Sequence, residues 1–288
     1  MLFRSLLIQV FLEAHDAAPQ QIVLDLDTTD LLLEGHQEGR FFHGYYDCYC
    51  YLPLYIFSGE HLLCARLRTA DQDAAAGSAG EVERIVDRIR AAWPEVRIIV
   101  RADSGFCRDE LLKWCEEHGV DYVIGFARNP LLRRLIEPQM QEAARIHRET
   151  GKPARVFTEF GYQTTTGSWS RTRRVEAKAE QIEGKENPRF VVTSPSAEEW
   201  PAQRLYEELY CGRGEMENRI KEQLSLFAGR VSAETMRANQ IRVYLAAMAY
   251  VLMHGLRRLG LKGTELERAQ ATVAEQAKRR ARGELGGS

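Results

Sequence analysis

The chain of 288 residues has almost no net charge: 39 Lys and Arg stand against 41 Asp and Glu, giving −2 at pH 7. That balance excludes a globally basic nucleic-acid binder, so any nucleic-acid partner must meet positive charge that is concentrated locally. Its six cysteines, at 48, 50, 64, 107, 115 and 211, form no C-x-x-C pair, and the histidines are not spaced as zinc ligands. A structural zinc site is therefore not expected, and the cysteines read as reduced thiols of a cytoplasmic protein. No apolar run approaches the roughly 20 residues that a bilayer requires. The longest, Val243 to His254, is flanked by Arg242 and Arg257 and reads as a core helix. The N-terminal stretch Met1 to Leu12 carries Arg4 and Gln9 and lacks a small-residue cleavage site, so it reads as a buried or partner-facing helix rather than a signal peptide. There is no internal repeat and no extended low-complexity segment.

What is present describes a globular chain able to bury a core, with 44% hydrophobic and 28% charged residues. Gln21 to Thr29 reads as a strand in which Ile22, Leu24 and Leu26 alternate with Val23, Asp25 and Asp27. The alternation places Asp25 and Asp27 on one face, which is costly if buried unless something cationic meets it. Phe41 to Phe57, rich in Tyr and Phe and holding Pro53, reads as a strand with an edge or bulge, and His61 to Leu67 as a third. After an Ala/Gly/Ser/Asp linker at 71–80, Val82, Ile85, Val86 and Ile89 give a helix from Glu81 to Trp93 that Pro94 stops. A strand from Arg97 ends in Asp103-Ser104-Gly105. A helix from about Asp109 to His118 follows, with Gly119 as its C′ residue, and then a strand from Tyr122 to Ala127. The first 127 residues thus read β-β-β-α-β-α-β, a mixed α/β sheet with Asp103 at a strand's C-terminal end, where open sheets place their chemistry.

Residues 131–200 break this pattern with a polar helix and three strands, Arg155 to Gln163, Ser168 to Lys178 and Arg189 to Thr193. The run holding Trp169, Arg171, Arg173 and Arg174 is the strongest basic and aromatic cluster, either a solvated strand face or a phosphate contact. A long helical pattern runs from about Pro201 to Phe227, and an apolar helix from about Met236 to Leu261. On the first, Tyr210, Arg213, Glu217 and Lys221 recur at steps of three, four and four and form one stripe, which reads by itself as an exposed face with i,i+4 ion pairs. Asp27, Asp103 and Glu217, from two strands and a late helix, form a set of oxygen donors of the kind hard divalent cations take. Two such ions about 4 Å apart stabilise the attacking and leaving oxygens of a displacement at phosphorus.

These stretches resemble the group 1 DDE transposases of bacterial insertion sequences. The resemblance is carried by Leu24-Asp25-Leu26-Asp27-Thr28-Thr29-Asp30, His36-Gln37-Glu38-Gly39-Arg40, Tyr51-Leu52-Pro53-Leu54, Arg101-Ala102-Asp103-Ser104-Gly105-Phe106, Tyr210 through Asn218, and Asn239-Gln240-Ile241-Arg242. It runs to about Gly263 and implies an RNase H-like fold: a mixed sheet flanked by helices, with a β-rich insertion before the helix carrying the last acid. The implied parts are residues 1–130 as the first part of the core, 131–200 as the insertion, 201–263 as helices completing the core, and 264–288 as a flexible tail. By the same resemblance Asp27, Asp103 and Glu217 are the catalytic, metal-binding acids, with Asp25 as the competitor for the first. Tyr210 and Arg213 match groups that hold DNA phosphate. The Lys of that signature falls at Leu224, so Lys221 or a neighbouring base is its substitute.

The implied reaction is metal-dependent DNA strand cleavage and strand transfer with Mg2+ or Mn2+, two ions, on double-stranded DNA, by a homodimer and with no membrane. Arg171, Arg173, Arg174 and Trp169 join the expected DNA contacts. The beginning and the end at Ala277 to Ser288 depart from the family pattern, which suggests a truncated copy. A transposition-incompetent remnant that keeps the fold, and a general RNase H-like nuclease, remain the alternatives.

Overall fold

The computed structural model describes residues 2–165, 167–224 and 231–265. The expected end of the 201–227 helix and the tail from 266 lie outside the described residues. In chain order the elements are α1 (Leu2–Glu13), β1 (Gln21–Thr28), β2 (Leu31–Leu32), β3 (Phe41–His43), β4 (Cys48–Tyr51), β5 (Leu54–Ser58), β6 (His61–Arg66), α2 (Ser78–Ala92), β7 (Arg97–Ala102), α3 (Asp109–Glu117), β8 (Asp121–Phe126), α4 (Pro130–Leu135) and α5 (Glu137–Thr150). There follow β9 (Ala154–Tyr162), β10 (Arg173–Ile182), β11 (Lys185–Glu186), β12 (Arg189–Thr193), α6 (Ala202–Arg204), α7 (Gly214–Gln223) and α8 (Met236–Gly255). The fold is mixed α/β. The chain divides into two compact units, one of residues 1–17, 27–74 and 215–288, the other of residues 18–26 and 75–214.

The second unit is built on parallel strands. β1, β7 and β8 lie side by side, and Ile98, Ile99 and Val100 of β7 are wholly buried, as a central parallel strand covered on both faces must be. The segment 131–200 extends this sheet instead of standing apart: β12 pairs antiparallel with β8, β10 with β12, and β9 with β10. Helix α2 buries Val82, Ile85, Val86 and Ile89, the stripe that its spacing predicts. Helix α4 starts at Asn129, whose side chain accepts from Leu132 N at 2.9 Å, with Pro130 in the first turn. Gly119 after α3 takes φ +59°, the left-handed value that its place after the helix requires.

The first unit holds the β5–β6 hairpin, the small sheet β2-β4-β3, and helices α1, α7 and α8. Phe41 to Phe57 is therefore three strands, not one: Asp47 turns the chain at φ +51°, and Pro53 interrupts it before β5. Helix α1 buries Leu7, Ile8 and Phe11 while Phe3 and Leu6 stay exposed. Two motifs of the sequence are fasteners here. Glu38 N donates to Glu234 O at 2.9 Å, Glu38 Oε2 accepts from Met236 N at 2.9 Å, and Gln37 Nε2 donates to Val231 O at 3.2 Å. They tie the 36–40 loop to the start of α8. Gln240 then lends its side-chain amide to β6 like a piece of strand, accepting from Leu67 N at 2.7 Å and donating to Ala65 O at 3.0 Å.

Among the described residues no helix is long and apolar enough to cross a membrane.

Candidate active site

Strand β7 brings Asp103 to its C-terminal end, where the chain turns through a 3-10 segment, Ser104–Phe106. Asp103 caps that turn, its Oδ1 accepting from Gly105 N at 2.8 Å. In the parallel register of β1 and β7, Leu26 stands opposite Ala102; Asp27 is the next residue of β1, and Asp103 follows the last residue of β7. Asp27 Oδ1 accepts from Thr28 N at 2.8 Å.

Asp25 has a different occupation. It is opposite Arg101 in the same register and 5% exposed. Arg101 grips it with two N–H groups, Nε to Oδ1 at 2.5 Å and Nη2 to Oδ2 at 2.8 Å, and sends Nη1 to Leu209 O at 2.5 Å. A fork-to-fork pair of this kind satisfies both oxygens and offsets the cost of burying them. This is the cation that the two-acid strand face required. The role of Arg101 was missed in the sequence. Its only signal was the need of Asp25 for a partner.

Leu209 lies in the stretch in which the expected long helix changes character. Residues Leu205–Tyr210 wind as a π-helix, Cys211–Arg213 as a 3-10 turn, and only from Gly214 does α7 proceed. The even stripe expected of Tyr210, Arg213, Glu217 and Lys221 on one uniform helix is thus corrected: Tyr210 and Arg213 sit on the irregular part, and Glu217 and Lys221 on the α-helical part. Such π-turns are frequent at functional sites. Two glycines show why the segment fits. A Cβ on Gly212 would lie 2.5 Å from Arg101 Nη1, which is already held by its partners. A Cβ on Gly125 in β8 would lie 2.5 Å from the Tyr210 hydroxyl and 2.9 Å from Ser104 N. The Tyr210 hydroxyl therefore rests over β8 beside the Asp103 turn. Burial raises its pKa and Asp103 adds to the rise, while Arg213 and Arg189 oppose it.

In α7, Glu217 lies in the first turn and is exposed, as is Lys221 in the last. Among the described residues no three His, Cys, Asp or Glu side chains gather as a metal-holding group. By donor type Asp27, Asp103 and Glu217 suit a hard divalent cation.

The expected basic cluster is turned inward. Trp169 is 3% exposed and packs against Phe126 and Tyr162. Arg173, also buried, donates to Asp109 Oδ1 and Glu116 Oε1, each at 2.6 Å. Arg174 donates to Glu159 Oε2 at 2.5 Å and to the carbonyls of Pro195 and Trp200. Trp169, Arg173 and Arg174 are therefore engaged within the unit: acids on α3 and β9 claim the two guanidinium groups. Arg171 remains exposed, with Glu116 at 3.4 Å. The strand itself begins at Arg173 rather than at Ser168, since Ser170 is drawn off to Asp109.

A family model described as transposase DDE domain, group 1, matches residues 3–274. No curated protein matches the chain. Among solved structures, the chain is similar to that of a piggyBac transposase synaptic complex with hairpin DNA, determined by cryo-EM, with a TM-score of 0.44 and 10% identity over 94% of this chain and 55% of that one. The chain spans about half the length of that protein.

Proposed function

The chain belongs to the group 1 transposase DDE domain family, and from that premise we propose that it is a DNA transposase catalysing strand cleavage and strand transfer in insertion-sequence transposition. The observation that carries this reading is the family match across residues 3–274. The place of Asp103 directly after the C-terminal end of β7 supports it, since open parallel sheets carry their chemistry there. We assign Asp27, Asp103 and Glu217 as the acids of the reaction, with double-stranded DNA as substrate and a second copy of the chain as partner in the cytoplasm. Asp27 is preferred to Asp25 because both oxygens of Asp25 are spent on Arg101.

The family's divalent metal, Mg2+ in this reading, would be held by those three carboxylates. When bound, it supplies charge at the attacking and leaving oxygens of the phosphoryl transfer. The protein's own part is positional. The 3-10 turn fixes the Asp103 carboxylate through Gly105 N, and the Arg101 grip on Asp25 and Leu209 ties the strand to the segment bearing Tyr210. Arg213, one turn after Tyr210, offers a guanidinium to a DNA phosphate.

The test is a nicking and strand-transfer assay on supercoiled plasmid with Mg2+ or Mn2+. Asp103→Asn and Glu217→Ala should each abolish cleavage while leaving the melting temperature unchanged. Full activity in either variant overturns the assignment of that residue, and metal-independent cleavage overturns the reading as a whole.

A further inference from the structure

Beside the Asp103 turn the second unit contains a cavity of about 590 Å3. It is lined by Ser104, Tyr210, Phe126, Arg128, Lys185 and Arg189, among others. It opens where the segment 131–200 joins the rest of the sheet. Phe126 at the end of β8 is the register partner of Phe190 in β12, so Arg128 lies just past the end of one strand and Arg189 begins the other. Lys185 comes from β11, after the left-handed turn at Gly184.

Charge separates this place from the rest of the segment. Arg173 and Arg174 are consumed by acids, and Arg155 by Glu180 and Glu207. Among the described residues, Arg128, Lys185 and Arg189 have no carboxylate partner, and Arg128, Lys185 and Arg189 are all exposed. The one acid on the wall, Glu186, is taken by Arg133 at 2.5 Å. The cavity is therefore left with three uncompensated cations, an aromatic wall and a phenol. An anion of phosphate size relieves the mutual repulsion of such cations, and nearby apolar surface suits the sugar and base attached to it.

We propose that this cavity holds a phosphodiester of the DNA strand led to Asp103, with Arg128, Lys185 and Arg189 as its positioning residues. This rests on the transposase reading and deepens it: the strand is anchored at the seam between β8 and β12, not on the Trp169–Arg174 run. Arg128 and Arg189 stand at the paired ends of β8 and β12, and Lys185 on β11 of the same sheet, so the sheet sets their backbone positions before DNA arrives.

The experiment measures binding of a fluorescein-labelled 30-base-pair duplex by anisotropy from 50 to 300 mM KCl. Each phosphate contact contributes about 0.9 to the slope of log K against log salt. The Arg128→Ala/Lys185→Ala/Arg189→Ala variant should lower that slope by roughly 2 to 3, and Lys185→Glu alone should weaken binding at the low-salt end. Arg204→Ala, which removes a surface arginine paired to Glu208, should leave the slope as it is. A triple variant with the wild-type melting temperature and the wild-type slope overturns the proposal while leaving the transposase reading intact. If the triple variant does not fold, an unchanged slope in Lys185→Glu overturns it in the same way. A wild-type chain that neither binds nor nicks the duplex overturns both.

Discussion

Asp25 and Glu176 are carboxylates sunk into the same unit, on β1 and β10, and they are accommodated in opposite ways. Asp25 faces Arg101 in register, and each of its two oxygens accepts an N–H from that guanidinium. Glu176 is 0% exposed, and neither of its oxygens has a hydrogen-bond partner. The cations near Glu176 are already engaged, Arg174 by Glu159 and Lys178 by Glu180. Burial therefore pushes the Glu176 pKa up to about 8, against the opposing pull of Arg174. Where a cation is built opposite, a buried acid stays ionised and stiffens its neighbourhood. Where none is available it keeps its proton and makes the fold sensitive to pH. The strands nearest Asp103 use the first arrangement, and the added strands tolerate the second.

The largest effect should come from breaking the paired arrangement. Arg101→Met leaves Asp25 charged and buried and strips Leu209 of its donor. A loss of roughly 3–5 kcal/mol is expected for removing one member of such a pair, read as the shift in a urea unfolding curve. The Arg101→Met/Asp25→Asn double variant should recover part of that loss, because the uncompensated charge is gone. A single variant as stable as the wild type would show that Asp25 is neutral in the fold, and the contrast with Glu176 would collapse.

Glu176 provides the second test, with the opposite sign. Its folded pKa stands above the ordinary value of 4.5, so the stability due to the protonated form is complete below about pH 4.5 and is lost as pH rises toward 8. Glu176→Gln, which cannot ionise, should melt above the wild type at pH 8.5 and level with it at pH 4, at about 2–4 °C per kcal/mol. An unchanged difference across that range would mean that a bonding partner reaches Glu176.

Gly125 probes the join between β8 and the π-helical segment. Gly125→Ala puts a methyl group into the Tyr210 hydroxyl and the Ser104 backbone, and overpacking of this kind costs about 1–3 kcal/mol. The Gly125→Ala/Tyr210→Phe double variant should regain much of that if the hydroxyl is the obstacle. No recovery would assign the crowding to the Asp103 turn.

The sequence made the order of the elements legible, and with it the strand-end position of Asp103 and the need of Asp25 for a cation. It did not make Arg101 legible as that cation, because the two are 76 residues apart and meet only through the parallel register of β1 and β7. The inward pairing of Arg173 and Arg174 was hidden for a related reason. A run of positive charge does not reveal whether Asp109, Glu116 and Glu159 fold to face it. The π and 3-10 turns before α7 were invisible because apolar residues at three- and four-residue steps fit a regular helix equally well. The loop 36–40 and Asn239-Gln240 were recognised as a pattern, but their work as hydrogen-bonded clasps on α8 and β6 depends on backbone groups that a side-chain pattern does not display.

His61 in the first unit extends the comparison to a base. Burial first, then His254, His15 and Arg258, lower its pKa to about 4, with Glu60 opposing. Its rings touch: His254 lies 4.8 Å away and His15 5.5 Å, centroid to centroid. The folded pKa lies below the ordinary 6.5, so the stability contributed by neutral His61 is present above pH 6.5 and is lost as pH falls toward 4. His61→Phe removes the proton site and keeps a ring against Phe11, which packs on His61 at 5.3 Å. It should flatten the acid limb of the melting-temperature profile between pH 6.5 and 4 and leave the alkaline limb to Glu176. That is the smallest of these effects, because burial also lowers the pKa of the nearby His254, which keeps part of the acid sensitivity. If His61→Phe and Glu176→Gln instead move the same limb, desolvation is not what sets these two groups, and the distinction between paired and unpaired burial loses its basis.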